Sequence, residues 1–225
     1  MLNILFLQSI DPAVGEETAK ESIRIFELLM KGGLIMIPIG LLLVAAIYIF
    51  VERYLTIKKA GEADPKFMLN IKDYVVNGNI EAAKALARSH NSPTARMVEK
   101  GVLRIGKPLQ DISVAIENVG KLELFQLEKK LAILATIAGV APMIGFFGTV
   151  TGMIRAFYSM ATAEQISPNL LAGGIYEALI TTAAGLAVGI VALIGYNLLI
   201  SLVENVVYKM EATSVEFIDL LQEPA

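Results

Sequence analysis

Three long runs without a single charged side chain constrain this chain more than any other feature. Residues 34–51 read LIMIPIGLLLVAAIYIFV, residues 131–154 read LAILATIAGVAPMIGFFGTVTGMI, and residues 178–203 read ALITTAAGLAVGIVALIGYNLLISLV. A bilayer's hydrocarbon core takes about 20 apolar residues of helix, and soluble cores rarely hold uncharged runs this long. The chain is therefore expected to be an all-α integral membrane protein with three transmembrane helices. Composition agrees: 55% hydrophobic and 18% charged residues, with a mean hydropathy of +0.62, against roughly half and a quarter in soluble domains.

Lysine and arginine orient the spans. Arg53, Lys58, Lys59, Lys66, Lys72, Lys121, Lys129 and Lys130 lie between the first and second runs, whereas residues 158–170 carry none. Basic loops stay on the cytoplasmic side. The expected organisation is an outer N-terminal segment (1–33), a first span (34–51), a cytoplasmic helical domain (52–130), a second span (131–157), an outer loop (158–170), a third span (171–203) and a cytoplasmic C-terminal helix (204–225). Within 18–31, Ile23, Phe26, Leu29 and Met30 share a helical face, so an amphipathic helix on the lipid surface is expected there. Gly32-Gly33 offers a bend into the first span.

The cytoplasmic segment carries helix punctuation. Asp64-Pro65 and Ser92-Pro93 are start signals, Gly78 is a stop followed by the capping residue Asn79, and Gly106 and Pro108 break the chain. From Asp111 onward a helical period continues to the second span, and the third span continues into the tail, so two of the spanning helices should extend into the cytoplasm.

Several classes of function find no support. A net charge of −3 gives no footprint for nucleic acid. With no Cys and only His90, thiolate and histidine metal clusters are excluded, and no P-loop, GxGxxG after a strand or HExxH occurs. No nucleophile–base pair suggests an enzyme, and no cofactor is implied.

The polar and small residues inside the spans are more informative. Ala138, Pro142, Gly145, Thr149, Gly152 and Ala156 recur at spacings of three and four, forming one small-residue stripe on the second span. On the third span Glu177, Thr181 and Ala184 share one line, and Ala178, Thr182, Gly185, Gly189 and Ala192 share the next. Such stripes serve close helix packing or line a pore. An ionisable side chain at the edge of a span is costly, and it usually faces a cavity, pairs with a cation or relays protons. Glu177 is that residue, and Arg155 is its candidate partner within the paired spans.

APMIGFFGTVTGM at 141–153 and GGIYEALITTAAGLAVG at 173–189 resemble the two signature spans of the ExbB/TolQ/MotA proton-channel family. The likeness extends to the three-span plan and the large cytoplasmic loop, and is most like ExbB, which energises the TonB system. The resemblance implies a bacterial inner-membrane location, with the N-terminus in the periplasm and the C-terminus in the cytoplasm. It implies a homo-pentamer around the helix of a single-span ExbD/TolR-like partner, in contact with membrane lipid and a TonB-like protein. It also implies use of the proton-motive force, with Thr149, Glu177 and Thr182 along the pore or proton pathway. Pro142, Gly145, Gly152, Gly185 and Gly189 are the expected helix-packing positions. Arg155 departs from the neutral residue expected there. If Thr149 and Thr182 lie level in an antiparallel hairpin, six residues outward from each brings Arg155 beside Tyr176 and Glu177. An ion pair there would make Glu177 a structural or gating group rather than a proton carrier. A TolQ-type role in outer-membrane integrity and a passive membrane scaffold are the alternatives. A flagellar stator normally has four spans.

The basic 53–130 segment predicts that a cysteine at Ser167 will react with an impermeant thiol reagent in cells with a permeabilised outer membrane, whereas one at Ser89 will not. The reverse labelling pattern would overturn the membrane plan.

Overall fold

The structure is a computed structural model describing residues 32–62, 64, 66–163 and 168–222. The expected amphipathic helix at 18–31 and the tip of the outer loop, including Ser167, lie outside the described residues. Among these residues there are seven α-helices and no strand: α1 (Met36–Ala60), α2 (Phe67–Val76), α3 (Ile80–Ser89), α4 (Pro93–Val102), α5 (Leu109–Glu128), α6 (Leu131–Thr162) and α7 (Pro168–Gln222). The protein is all-α, and three of its helical segments are long and apolar enough to cross a membrane. At 1.5 Å per residue α7 alone is about 80 Å long, well over twice a hydrocarbon core of roughly 30 Å.

Local chemistry accounts for most of the helix boundaries. Pro38 sits in the first turn of α1, where its missing N–H has no helical partner to lose. Asn79 caps α3 by accepting from Ala82 N at 3.2 Å, and Ser92 caps α4 by accepting from Ala95 N at 3.2 Å, with Pro93 in the first turn. Gly78 and Gly106 take positive φ, at 70° and 91°, where the chain leaves a helix. Asp64 acts differently from a simple cap. Its carboxylate accepts from Lys66 N at 2.9 Å, and α2 begins only at Phe67.

Two compact units divide the chain. One comprises Met1–Val44 with Ile137–Val191, the other Ala45–Thr136 with Ala192–Ala225. In the second unit the C-terminal part of α7 packs on α4 and α5. Phe217 is fully buried, and a Cβ at Gly101 would overlap its ring and lie 2.9 Å from Ile116 Cδ1. Removing a buried aromatic of this kind typically costs about 3–5 kcal/mol. Arg96 clamps this unit from the side, donating through Nε and Nη2 to the two oxygens of the buried Glu123 at 2.6 and 2.5 Å. Those bonds to Glu123 raise the guanidinium's pKa against the opposing effect of burial.

Both extensions are present, and the first carries a break. The period running from Asp111 into the second span is not one unbroken helix. α5 ends at Glu128, Lys130 adopts φ 70°, and α6 restarts with Ile133 N donating to Lys130 O at 3.1 Å. The reason lies on α1. Arg53 Nη1 donates to the carbonyls of Gln126 and Lys129, each at 3.3 Å, satisfying acceptors that the interrupted helix leaves free. Glu52 pairs with Arg53 and accepts from Lys130 Nζ at 3.0 Å. The third span, by contrast, continues as the single helix α7.

Replacing Arg53 by Ala strands two carbonyls and leaves Glu52 with Lys130 alone. Arg53→Ala should cost about 1–3 kcal/mol, read as a lowered thermal midpoint of the detergent-solubilised protein. An unchanged midpoint would mean that the break at Lys129–Lys130 is set by something other than this capping.

Candidate functional site

The first unit is built on a seam between α6 and α7 where side chains nearly vanish. Ile137, Ala141, Gly145, Gly148, Gly152 and Ala156 are the buried positions of α6 within this unit. Facing them on α7 are Gly174, Ala178, Thr181, Gly185 and Gly189. A Cβ on Gly185 would stand 2.6 Å from Ala141 O and 2.8 Å from Gly145 Cα, and one on Gly145 would stand 2.8 Å from Thr181 O. The two backbones are therefore in direct contact. Gly152 meets Ala178 Cβ at 3.0 Å by the same measure, and Gly174 lies against Ala156. Gly189 makes room for the Pro142 ring and for Ala138 O, whose usual N–H partner Pro142 cannot supply.

This stripe is turned by about one residue from the one read in the sequence. Gly148 and Ala141 occupy its centre, while Thr149, Pro142 and Ala138 are half-buried along its margin. A Cβ at Gly148 would collide with the Thr181 side chain. A small residue at both places was visible in the sequence, but periodicity alone does not say which of two adjacent small residues points at the neighbour. Ile137, which is not one of the small residues of that stripe, is buried as well.

The hydroxyls in the seam differ in what they bond. Thr181 is 1% exposed and donates to Ala178 O at 2.8 Å, one turn back on its own helix, with Gly145 O across the seam at the longer distance of 3.5 Å. Thr182 donates across the seam to Gly145 O at 3.0 Å, tying α7 to α6. Thr149 donates to Phe146 O at 2.6 Å on its own helix, and it lines an open apolar groove with Val150, Met153, Ile154 and Phe157. Thr149 and Thr182 are thus not equivalent: one borders an open face, the other holds two helices together.

Glu177 stands beyond the hydroxyls, one turn before Thr181. Arg155 Nη1 lies 3.5 Å from Glu177 Oε1, ion-pair distance and the outer limit of a hydrogen bond. The Arg155 side chain is 61% exposed and that of Glu177 30%, so the pair is half open within one chain. An exposed pair in water contributes about 0–1 kcal/mol. The larger cost of breaking a buried pair applies here only if a neighbouring molecule covers this end. His90 is remote in kind: it ends α3, with Nδ1 3.1 Å from Leu86 O and its ring 5.1 Å from that of Phe67. Among the described residues no group of three or more His, Asp and Glu could hold a metal ion.

The profile of the MotA/TolQ/ExbB proton channel family matches residues 89–212, which include the whole seam, Arg155 and Glu177. The chain belongs to this family. It is 29% identical over 183 residues to an ExbB-like biopolymer transport protein from Synechocystis, covering 80% of this chain and 72% of that one. It is 37% identical over 105 residues to the biopolymer transport protein ExbB of Neisseria gonorrhoeae, covering 46% and 48%. The TolQ protein of the Tol-Pal system from Haemophilus influenzae matches at higher identity but only locally, 47% identical over 75 residues, 33% of each chain. Proteins of the MotA/TolQ/ExbB family are channel and transport energisers, and this one is an ExbB-like member built around three membrane-length helices.

The seam makes a sharp comparison possible. Gly185→Ala should wedge α6 from α7 and cost about 1–3 kcal/mol, as overpacking does. Gly139→Ala, on the exposed side of α6 away from the seam and with nothing within 4 Å of a built Cβ, should be neutral or stabilise by up to about 1 kcal/mol. Thermal unfolding of both variants checks this, and equal melting would argue against a backbone-contact seam.

Proposed function

We propose that this chain is the ring-forming subunit of an inner-membrane, proton-driven motor that uses the proton-motive force to energise TonB-dependent outer-membrane transport. The observation carrying this reading is the site itself: a glycine seam that ends at a carboxylate, in a chain of the MotA/TolQ/ExbB family. Five copies would form a homo-pentamer, with an ExbD/TolR-like single-span helix in the central pore and a TonB-like protein engaging the assembly. The open apolar groove beside Thr149 supports a helix-sized occupant: Val150, Met153, Ile154 and Phe157 offer an apolar wall with one hydroxyl set into it. The N-terminus would lie in the periplasm and the C-terminus in the cytoplasm. The chain would act without cofactor and without enzymatic chemistry of its own.

Within that machine Thr149, Glu177 and Thr182 would lie along the proton pathway. Glu177 would work as an ion-paired gate rather than as a lone carrier, since Arg155 Nη1 is within reach of its Oε1. A gate of this kind opens when the guanidinium is displaced and closes when it returns.

A TolQ-type role in outer-membrane integrity is the second reading, favoured by the local 47% identity to a TolQ protein. Deleting the gene separates the two. Loss of TonB-dependent uptake with an intact outer membrane supports the first; a leaky outer membrane with normal uptake supports the second.

The gate is tested by a double-mutant cycle on complex stability and on proton-driven activity. Arg155→Ala and Glu177→Gln should each lower activity, and the double variant should recover part of it, giving a coupling of about 0.5–3 kcal/mol. Strict additivity removes the pair. A stable but inactive Glu177→Gln complex, with Arg155→Ala near wild type, would reassign Glu177 as the proton carrier.

A further inference from the structure

The turn that leads into α1 meets the same carboxylate oxygen as Arg155. Gly33 has φ +67°, and a Cβ built on it would collide with Glu177 Oε1 and lie 3.1 Å from Glu177 Cδ and 3.8 Å from Cγ. Oε1 is the atom 3.5 Å from Arg155 Nη1. Any side chain at position 33 would therefore displace the oxygen on which the ion pair depends. A second contact places the turn on α7 independently. A Cβ at the preceding Gly32 would lie 3.2 Å from Ile180 Cγ2, one helical turn along α7 from Glu177, and 2.8 Å from Met36 Sδ. The turn is also stiffened from within, because Met36 N donates to Gly33 O and Ile37 N to Leu34 O, both at 3.2 Å.

We propose that Gly33 is a positioning residue for the Arg155–Glu177 pair, and that the seating of α1's first turn on α7 regulates whether the pair closes. The inference rests on reading Glu177 and Arg155 as a functional pair. Its physical content is steric. With no Cβ, Gly33 lets the turn press its Cα against the carboxylate and hold Oε1 on the Arg155 side. Movement of α1 along α7 then shifts that oxygen toward or away from the guanidinium. The site thereby gains a third component that the motifs on α6 and α7 do not contain.

A positive φ alone would also select glycine, so the test needs a control for backbone strain. Gly78 supplies it, with φ +70° and nothing within 4 Å of a built Cβ. The Arg155→Ala/Glu177→Gln cycle is measured on thermal stability of the purified full-length protein in three backgrounds. Coupling should be present in wild type, lost in Gly33→Ala and retained in Gly78→Ala. A second readout is the shorter carboxylate. Glu177→Asp withdraws the oxygens by one methylene, so it should lower proton-driven activity in wild type yet raise it in Gly33→Ala. If Gly33→Ala does not accumulate, Glu177→Asp should restore accumulation and Arg155→Ala should not. Absence of coupling in wild type overturns the pair itself and this inference with it. Coupling that survives Gly33→Ala, or a Glu177→Asp substitution equally harmful in both backgrounds, overturns the role of Gly33 and leaves the pair standing.

Discussion

Direct backbone contact between α6 and α7 is the constraint on which the rest of the membrane unit depends. In lipid, helices gain little from hiding apolar side chains, since the surrounding tails are equally apolar. Association must come from close packing and from hydrogen bonds between helices. Gly145 and Gly185 supply the first by leaving nothing between the two main chains. Thr182 supplies the second through Gly145 O. Pro142 adds a local demand. It leaves the Ala138 carbonyl without its helical N–H, and Gly189 allows α7 to approach that oxygen.

That contact fixes the register in which the polar groups meet. With Gly152 against Ala178 and Gly174 against Ala156, Arg155 and Glu177 have no freedom to slide past each other by a turn. The hydroxyls then fall into distinct roles along one line: Thr181 sealed, with its shorter bond to its own helix, Thr182 bridging, Thr149 beside an open groove. The ion pair is left half open at the end of a close-packed seam. Its surroundings, not its own geometry, decide what it costs to break.

Much of the plan was legible in the chain itself. Asn79 and Ser92 cap the helices that begin after them because a side-chain oxygen one residue ahead of a helix satisfies a free N–H wherever it occurs. The approach of Arg155 to Glu177 follows from helical rise and an antiparallel hairpin. Other features were not legible, for specific reasons. The break at Lys129–Lys130 depends on Arg53, more than 70 residues away, reaching two carbonyls. The centring of the seam on Gly148 rather than Thr149 is a rotation of α6 that a pattern of adjacent small residues leaves open. Gly33 reads in sequence as a bend; only contact with Glu177 gives it a partner.

The division between sequence and tertiary structure follows the range of the forces. Sequence by itself determined the all-α membrane character, the three spans and the helix caps, because transfer into hydrocarbon and capping are properties of a residue and its near neighbours. It also determined the family, since the two motifs on α6 and α7 lie within one matching stretch of chain. Tertiary structure decided which small residues touch, which hydroxyl bridges, where α5 gives way to α6, and what lies against Glu177. Those are matters of a few ångströms between segments far apart in the chain. They are set only when backbones meet and steric exclusion, felt at the scale of one Cβ, selects a single register.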